Sequence, residues 1–306
     1  MRARAIPFLS GRWHRLSRTV GAVAVAALGF LMSASGAPVG AAETAPHRDM
    51  VFTIVRTGTP DCEPDCPEWI AADGDITDKT VSAFQAILEK GGERNLPLLI
   101  NSPGGRVDAA MTLGRMIRDR KMTVEIARTD YLLCEPWNTT CEPDFKDGTY
   151  YGRANTTFGI CNSACPLVLA GGVRRIASPL SRIGVHQIVT TRQKYRDRYK
   201  ITRKKLSNGK LVTEREHVER QKIGTVKSTE MPASLRRKLA EYLTGMNVKP
   251  DLIDLMLSTP PDKIRYLNDE ELKAFGVATE INELEALVGH RVCKSRARPG
   301  HCVVRK

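Results

Sequence analysis

Leu98-Leu99-Ile100-Asn101-Ser102-Pro103-Gly104-Gly105 and Gly159-Ile160-Cys161-Asn162-Ser163-Ala164-Cys165 decide how this chain is read, together with Arg182-Ile183-Gly184-Val185-His186-Gln187 further on. Leu98 to Ile100 is a short apolar run of the kind that forms a buried strand. It ends in Pro-Gly-Gly, where a glycine reaches backbone angles closed to other residues and leaves a peptide N–H uncovered for an anion. Ser163 stands between a β-like run and the apolar segment Pro166 to Ala170, whose proline falls in a first helical turn where a missing N–H costs nothing. Ser163 is therefore expected at a helix N-terminus, beside free amides and the positive end of the helix dipole. A hydroxyl nucleophile needs a base for its proton and N–H donors for the oxyanion. His186, closing the strand Ile183 to Val185, is suited to be the base, and the Gly105 and Ala164 amides are suited to be the donors. Singly, each feature is bland: a serine before a helix is most often only a cap, and a histidine ending a strand is most often structural. The conjunction is what points to chemistry.

Asn-Ser-Pro-Gly-Gly at 101–105, Ser163-Ala164 opening a helix that closes at Ala170-Gly171-Gly172, and Ser181 to Gln187 together resemble the proteolytic subunit of Clp proteases and its periplasmic relatives. The resemblance spans about Asp73 to Val277, interrupted by insertions at 128–158 and 188–230. It implies an α/β fold, the Clp/crotonase-like superhelix of ββα units. It also implies Ser163 as nucleophile, His186 as general base, Gly105 and Ala164 as the oxyanion hole, a peptide or protein substrate, and a homo-oligomer. One position departs from the pattern. The third triad member falls at about Ile264, which cannot orient an imidazole. Asp262, two residues earlier, is the expected substitute, with Asp251 and Asp254 as weaker ones. Such an acid holds the histidine tautomer and stabilises the imidazolium, so its loss lowers the rate without abolishing the reaction.

Residues 1–41 differ in character from the rest. Arg2, Arg4, Arg12, Arg15 and Arg18 precede an apolar run from Val20 to Met32 and then small residues, the pattern of a secretory signal cleaved after Ala37, Ala41 or Ala42. The run of about 13 residues is short for a membrane span of about 20; an uncleaved anchor facing the periplasm is the alternative. Removing this leader takes the formal charge from +13 to +8. Much of the remainder is local, because residues 192–230 hold 13 Lys/Arg against five Asp/Glu. Export separates the chain from nucleic acid, so the basic balance does not indicate a nucleic-acid partner.

Eight cysteines fall into the close pairs Cys62/Cys66, Cys134/Cys141, Cys161/Cys165 and Cys293/Cys302. An even count in an exported chain argues for disulfides between these neighbours. Zinc is the competing reading, but the spacings are not Cys-x2-Cys and no histidine completes a set, so no metal is expected. No phosphate-cradling Gly-x4-Gly-Lys-Ser/Thr and no His-Glu-x2-His occurs, so neither ATP nor any other cofactor is expected.

Along the chain, Asp49 to Arg56 reads as a strand, Cys62 to Pro67 as a tight turn, and Trp69 to Ile76 as a strand and turn. A helix capped by Thr77 or Asp78 carries Val81, Phe84, Ile87 and Leu88 and stops at Gly91-Gly92. A second, after Gly105, carries Val107, Ala110, Met111, Gly114 and Ile117, and Met122 to Ala127 returns as a strand, giving an α/β layer with crossovers. Residues 128–158 read as a loop and 188–230 as a basic hairpin turning at Ser207-Asn208-Gly209-Lys210. The hairpin could meet anionic lipid head groups, acidic substrate or another subunit. Leu235 to Tyr242, Leu252 to Leu257 and Asp269 to Phe275 read as helices. The domain thus runs from 49 to 290, followed by a basic tail at 291–306. The sequence reading is an exported Clp-like serine peptidase of the periplasm; its rival is a non-catalytic crotonase-fold scaffold, and an acyl-CoA enzyme of crotonase type is a third and weaker possibility, since that cofactor is not expected outside the cytoplasm.

Overall fold

The computed structural model describes residues 48–157, 159–282, 285–289 and 291–305. The leader expected at 1–41 lies outside them. The chain begins with β1 (Val51–Thr57), β2 (Asp65–Asp73), α1 (Thr80–Gly91), β3 (Leu98–Asn101), α2 (Val107–Asp119) and β4 (Thr123–Ile126). It continues with β5 (Arg128–Tyr131), β6 (Thr149–Asn155), β7 (Ile160–Asn162), α3 (Cys165–Ala170), β8 (Arg174–Ala177) and β9 (Arg182–Val185). The long hairpin follows as β10 (Thr190–Lys205) and β11 (Leu211–Ser228). Then come α4 (Ala233–Gly245), α5 (Leu252–Ser258), β12 (Arg265–Tyr266), α6 (Asp269–Phe275), β13 (Glu280–Ile281), α7 (Glu285–Val288) and β14 (Cys302–Val304).

The main sheet has the order β13-β8-β4-β3-β2-β1-β6-β5, parallel from β13 through β2. Parallel strands are covered on both faces, which is why β3 is an apolar run without alternation and why Val124, Glu125 and Ile126 of β4 are all buried. One face buries Ile70, Leu98, Ile100 and Val124 against Phe84 of α1, Met111 and Leu113 of α2, Val168 of α3 and Leu243 of α4. The helices over that face meet closely. Tyr242 Oη donates to Leu167 O at 2.5 Å over Gly114, and Arg118 Nη2 donates to Ala170 O and Met246 O, both at 2.9 Å. A Cβ at Gly114 would collide with the Tyr242 hydroxyl, so helix spacing here is set by a missing side chain. The α/β class read from the sequence is the class observed.

The second face carries a smaller apolar cluster, Val55, Trp69, Ala71, Leu99, Ile176, Leu287 and Val288. Glu125 stands in the same row, opposite Leu99 and Ile176, fully buried and with no hydrogen bond to either carboxylate oxygen. Burial pushes its carboxyl up to about 8, the Arg174 charge opposing this only in part. The native state therefore keeps a proton that the unfolded chain releases near its ordinary value of about 4.3. Stability from this group is full below that value and is lost as pH rises toward about 8, a change of up to a few kcal/mol at about 1.36 kcal/mol per unit. Glu125→Gln is expected to flatten the profile: melting temperatures by circular dichroism match wild type near pH 5 and exceed it by several degrees near pH 9. Parallel profiles for the two proteins would contradict the assignment.

Three expectations need correction. The turn expected at Cys62 to Pro67 is shorter than that, because Asp65, Cys66 and Pro67 already belong to β2 and Cys66 pairs with Val303 of β14. Neither Thr77 nor Asp78 caps α1; the helix starts at Thr80, whose Oγ1 accepts from the Thr77 N–H at 2.8 Å. Residues 128–158 are more than a loop, because β5 and β6 lie within them and extend the sheet beyond β1, with Thr149, Tyr150 and Gly152 buried. The basic tail, closed by Cys293–Cys302, also joins the fold. β14 pairs with β2, and Arg56, Arg94 and Arg305 converge on the buried Glu68 carboxylate at 3.3, 2.7 and 2.7 Å.

The hairpin is observed where the turn residues indicated it. Gly209 turns with φ 81°, and Lys210 N–H donates to Asn208 Oδ1 at 3.0 Å. All four disulfides form between the expected neighbours, as Cys62–Cys66, Cys134–Cys141, Cys161–Cys165 and Cys293–Cys302. The first ties the turn after β1 to the start of β2. The second closes a loop between β5 and β6, where Cys141 N–H donates to Asn138 O at 2.9 Å. Asp65, Cys293 and Cys302 lie close enough together to hold a metal ion, but both sulfurs are joined to each other and Asp65 is paired with Arg298 at 2.7 Å, which leaves no thiolate to ligate. No helix among the described residues is long and apolar enough to cross a membrane.

Candidate active site

β7, β9 and β12 form a second, three-stranded sheet that starts from the end of β3. Ser102 N–H donates to Ile160 O at 2.8 Å and Asn162 N–H to Ser102 O at 3.0 Å, which ties β7 to the turn after β3. The Ser102 hydroxyl secures the turn itself, donating to Gly74 O at 2.7 Å and accepting from the Gly104 N–H at 3.1 Å. Gly104 and Gly105 then take φ 110° and 138°, conformations that side-chain-bearing residues rarely adopt.

This turn lies directly against Ser163. A Cβ on Gly104 would stand 2.5 Å from Ser163 Cβ and 3.0 Å from Ala164 N. Ser163 has φ 60°, the left-handed region, one of only three non-glycine residues there among those described. Its N–H donates to Gly184 O at 2.9 Å, and the Cys161–Cys165 disulfide closes the loop around it. A strained backbone at a turn between strand and helix costs about 1–3 kcal/mol and persists where surrounding structure enforces it, commonly at functional sites. Sequence reading placed Ser163 before α3 but had no signal for this conformation. Of the eight cysteines, Cys161 and Cys165 flank the serine. Cys62, Cys66, Cys134, Cys141, Cys293 and Cys302 belong instead to the start of β2, the loop between β5 and β6 and the tail, where their role is to staple the fold.

β7 and β9 run parallel with Asn162 opposite Gly184. Ser163 and His186 therefore follow from neighbouring strands about 4.8 Å apart, at adjacent levels. Among the described residues no hydrogen bond joins the Ser163 hydroxyl to His186, and free-enzyme catalytic bonds are often long before substrate binds. The N–H groups of Gly105 and Ala164 have no acceptor among the described residues, so both are available to an oxyanion. Gly105 is held from either side, since Ile76 N–H donates to Gly104 O at 2.7 Å and Arg106 N–H to Ile76 O at 2.8 Å.

The third position differs from what Asp262 promised. β12 pairs antiparallel with β9, Arg265 opposite Val185, which carries Ile264 opposite His186. Ile264 packs over Gly184. Asp262 is exposed at a turn closed by Lys263 N–H to Pro260 O at 3.1 Å, and His186 Nδ1 is buried without a hydrogen-bond partner. Gln187, anchored by its N–H to Thr259 O at 2.9 Å and its amide to Leu257 O at 2.6 Å, fixes the crossing upstream of Asp262 and leaves that carboxylate pointing to solvent. Asp251 precedes α5 at the surface, and Asp254 is engaged by Arg236 at 2.6 Å. One buried acceptor on this sheet has no partner: Oδ1 of Asn162, whose strand position shares a face with Gly184 and His186. It was missed because an asparagine next to Ser163 carries no motif of its own.

No protein-family model matches the chain, and no curated protein matches it. Solved structures do. A membrane-bound stomatin-specific protease, 1510-N, superposes with a TM-score of 0.40 and 15% identity over 77% of this chain and 89% of that one. The ClpP protease catalytic domain from Plasmodium falciparum gives 0.36 and 16% over 70% and 83%. ClpP1 from Listeria monocytogenes gives 0.37 and 15% over 68% and 87%. At these values the likeness says nothing of residue roles, which rest on the geometry above.

Proposed function

We propose that this chain is an exported serine hydrolase acting on peptide bonds. Ser163 attacks the scissile carbonyl, His186 Nε2 takes its proton and returns it to the leaving amine, and the Gly105 and Ala164 amides hold the oxyanion. The observation that carries the proposal is the left-handed backbone of Ser163, held between a disulfide and the Gly104-Gly105 turn with two uncommitted amides beside it. The four disulfides support export to an oxidising compartment such as the periplasm. The test is digestion of a fluorescently quenched, unfolded casein by the oxidised protein. Turnover is expected from wild type and not from His186→Ala; equal signals from both would contradict the mechanism.

Asn162 is the proposed positioning residue for His186 in place of a carboxylate. Its Oδ1 would accept from Nδ1–H and hold the tautomer that leaves Nε2 free to take a proton. Asn162→Ala is expected to lower kcat by about tenfold to a hundredfold with little change in KM, and Asn162→Asp to recover most of the loss. A uniform rise in KM for both variants would assign Asn162 to substrate contact instead.

The scaffold reading is favoured by Ile264 opposite His186 and by the unpartnered Nδ1. It predicts no turnover of any ester or amide by the folded, oxidised protein.

A further inference from the structure

β10 and β11 pair only with each other, and almost every residue in them is exposed. A two-stranded ribbon is marginal alone in water; a third strand or a covered face is what normally secures one. Each strand here also leaves one edge of N–H and C=O groups unpaired over 16 and 18 residues.

The two faces of β10 differ. Arg192, Lys194, Arg196, Arg198 and Lys200 occupy successive positions on one face, and all five are exposed. Only Arg198 has a carboxylate, Glu219 at 3.1 Å; the other four are without one among the described residues. The opposite face presents Tyr195, Tyr199 and Ile201, each at least 40% exposed. Arg215 and Arg220 stack over the two tyrosines at 3.6 and 5.4 Å. The run from Arg192 to Lys200 extends about 27 Å, with cations repeating about every 6.8 Å.

We propose that the free edge of β10 is a docking site for an acidic polypeptide segment that adds to it as a third strand. An added strand shares the period of two, so carboxylates at alternate positions would fall beside the cations and apolar side chains between them would fall beside Tyr195, Tyr199 and Ile201. A second copy of the hairpin is disfavoured as the occupant, because each carries 13 Lys/Arg against five Asp/Glu between residues 192 and 230 and two such edges would repel. A lipid surface matches the charge but offers no backbone for the edge. A polypeptide matches both. Binding at this edge does not depend on catalysis, although β10 begins four residues after His186.

The experiment is fluorescence anisotropy of the full oxidised protein with labelled peptides of about twelve residues, long enough to span the five cations. One peptide alternates Glu with Val and Tyr; a second has the same composition with the Glu residues grouped in one half; a third keeps the alternating sequence with alternate amides N-methylated. The alternating peptide is expected to bind, the other two to bind about tenfold more weakly, and a K194E/R196E/K200E variant with unchanged circular dichroism and melting temperature to lose about tenfold or more. Equal binding of the alternating and grouped peptides would overturn the proposal. So would capture of phosphatidylglycerol vesicles without peptide binding, or a dimer by sedimentation that the variant abolishes.

Discussion

Ser163→Ala is expected to fold, to form all four disulfides and, on the proposed mechanism, to lose at least about 10³-fold in turnover, because the attacking hydroxyl is gone. The native contacts of Ser163 explain why the fold survives. Its N–H bond to Gly184 O is a backbone bond, and its hydroxyl has no hydrogen-bond partner among the described residues. Ser163→Gly should go further. At φ 60° a serine carries backbone strain that glycine does not, so this variant is expected to be inactive and more stable by about 1 kcal/mol. Melting temperature and casein digestion, measured on the same samples, give both readings. A glycine variant less stable than wild type would mean that the strain at Ser163 has been misjudged.

Gly105→Ala is expected to be strongly destabilising. With φ 138°, an alanine there is strained, and its Cβ would run into the Ile76 carbonyl oxygen and lie 2.9 Å from Ile76 N. Ile76 cannot yield. Its side chain is buried and its backbone is bonded on one side to Gly104 O and on the other to Arg106 N–H. Strain and overpacking together cost about 3–5 kcal/mol, or roughly 10 °C in melting temperature for a domain this size. Gly92 supplies the control. It has φ 61° with nothing within 4 Å of a Cβ, so Gly92→Ala should cost only about 1 kcal/mol. Equal losses at the two positions would show that φ alone, and not the Ile76 contact, sets the penalty.

What could be read from the sequence follows from how local each signal is. β3, α2, α3 and β9 announce themselves through apolar runs, helical spacing, a first-turn proline and bounding glycines, all resolved within a dozen residues. The hairpin turn at Asn208-Gly209 is of the same kind, and so are the cysteine pairs, each closed within a few residues. β6 is harder, because Gly152 and Arg153 interrupt its alternation and the strand is secured by pairing with β5 across a long connection and with β1, far back in the chain. β14 is three residues long and exists because β2 accepts it, which is also why Cys66 proved to be a strand residue and not part of a turn. The buried Glu125 reads in sequence like any surface glutamate; only the neighbouring rows of the sheet reveal that it is enclosed without a hydrogen-bond partner among the described residues.

The candidate site divides in the same way. Ser163, His186 and the two glycines are legible as motif residues, and the resemblance to Clp subunits put Ile264 at the third position, where the register of β12 carries it opposite His186. Asp262 misled because two positions along the chain seemed a small shift. In the fold those two residues turn the carboxylate out to solvent. Asn162 went unnoticed because its place on the face of Gly184 and His186 depends on strand register, which no local pattern encodes.

The central claim is that Ser163 is a nucleophile. Its most direct test is reaction of the oxidised wild-type protein with a fluorophosphonate, followed by tandem mass spectrometry of the adduct-bearing peptide. The account predicts one phosphonyl group per chain, on Ser163, absent after denaturation and absent in His186→Ala. A folded, fully oxidised protein that stays unlabelled, or one labelled at another hydroxyl, would contradict it.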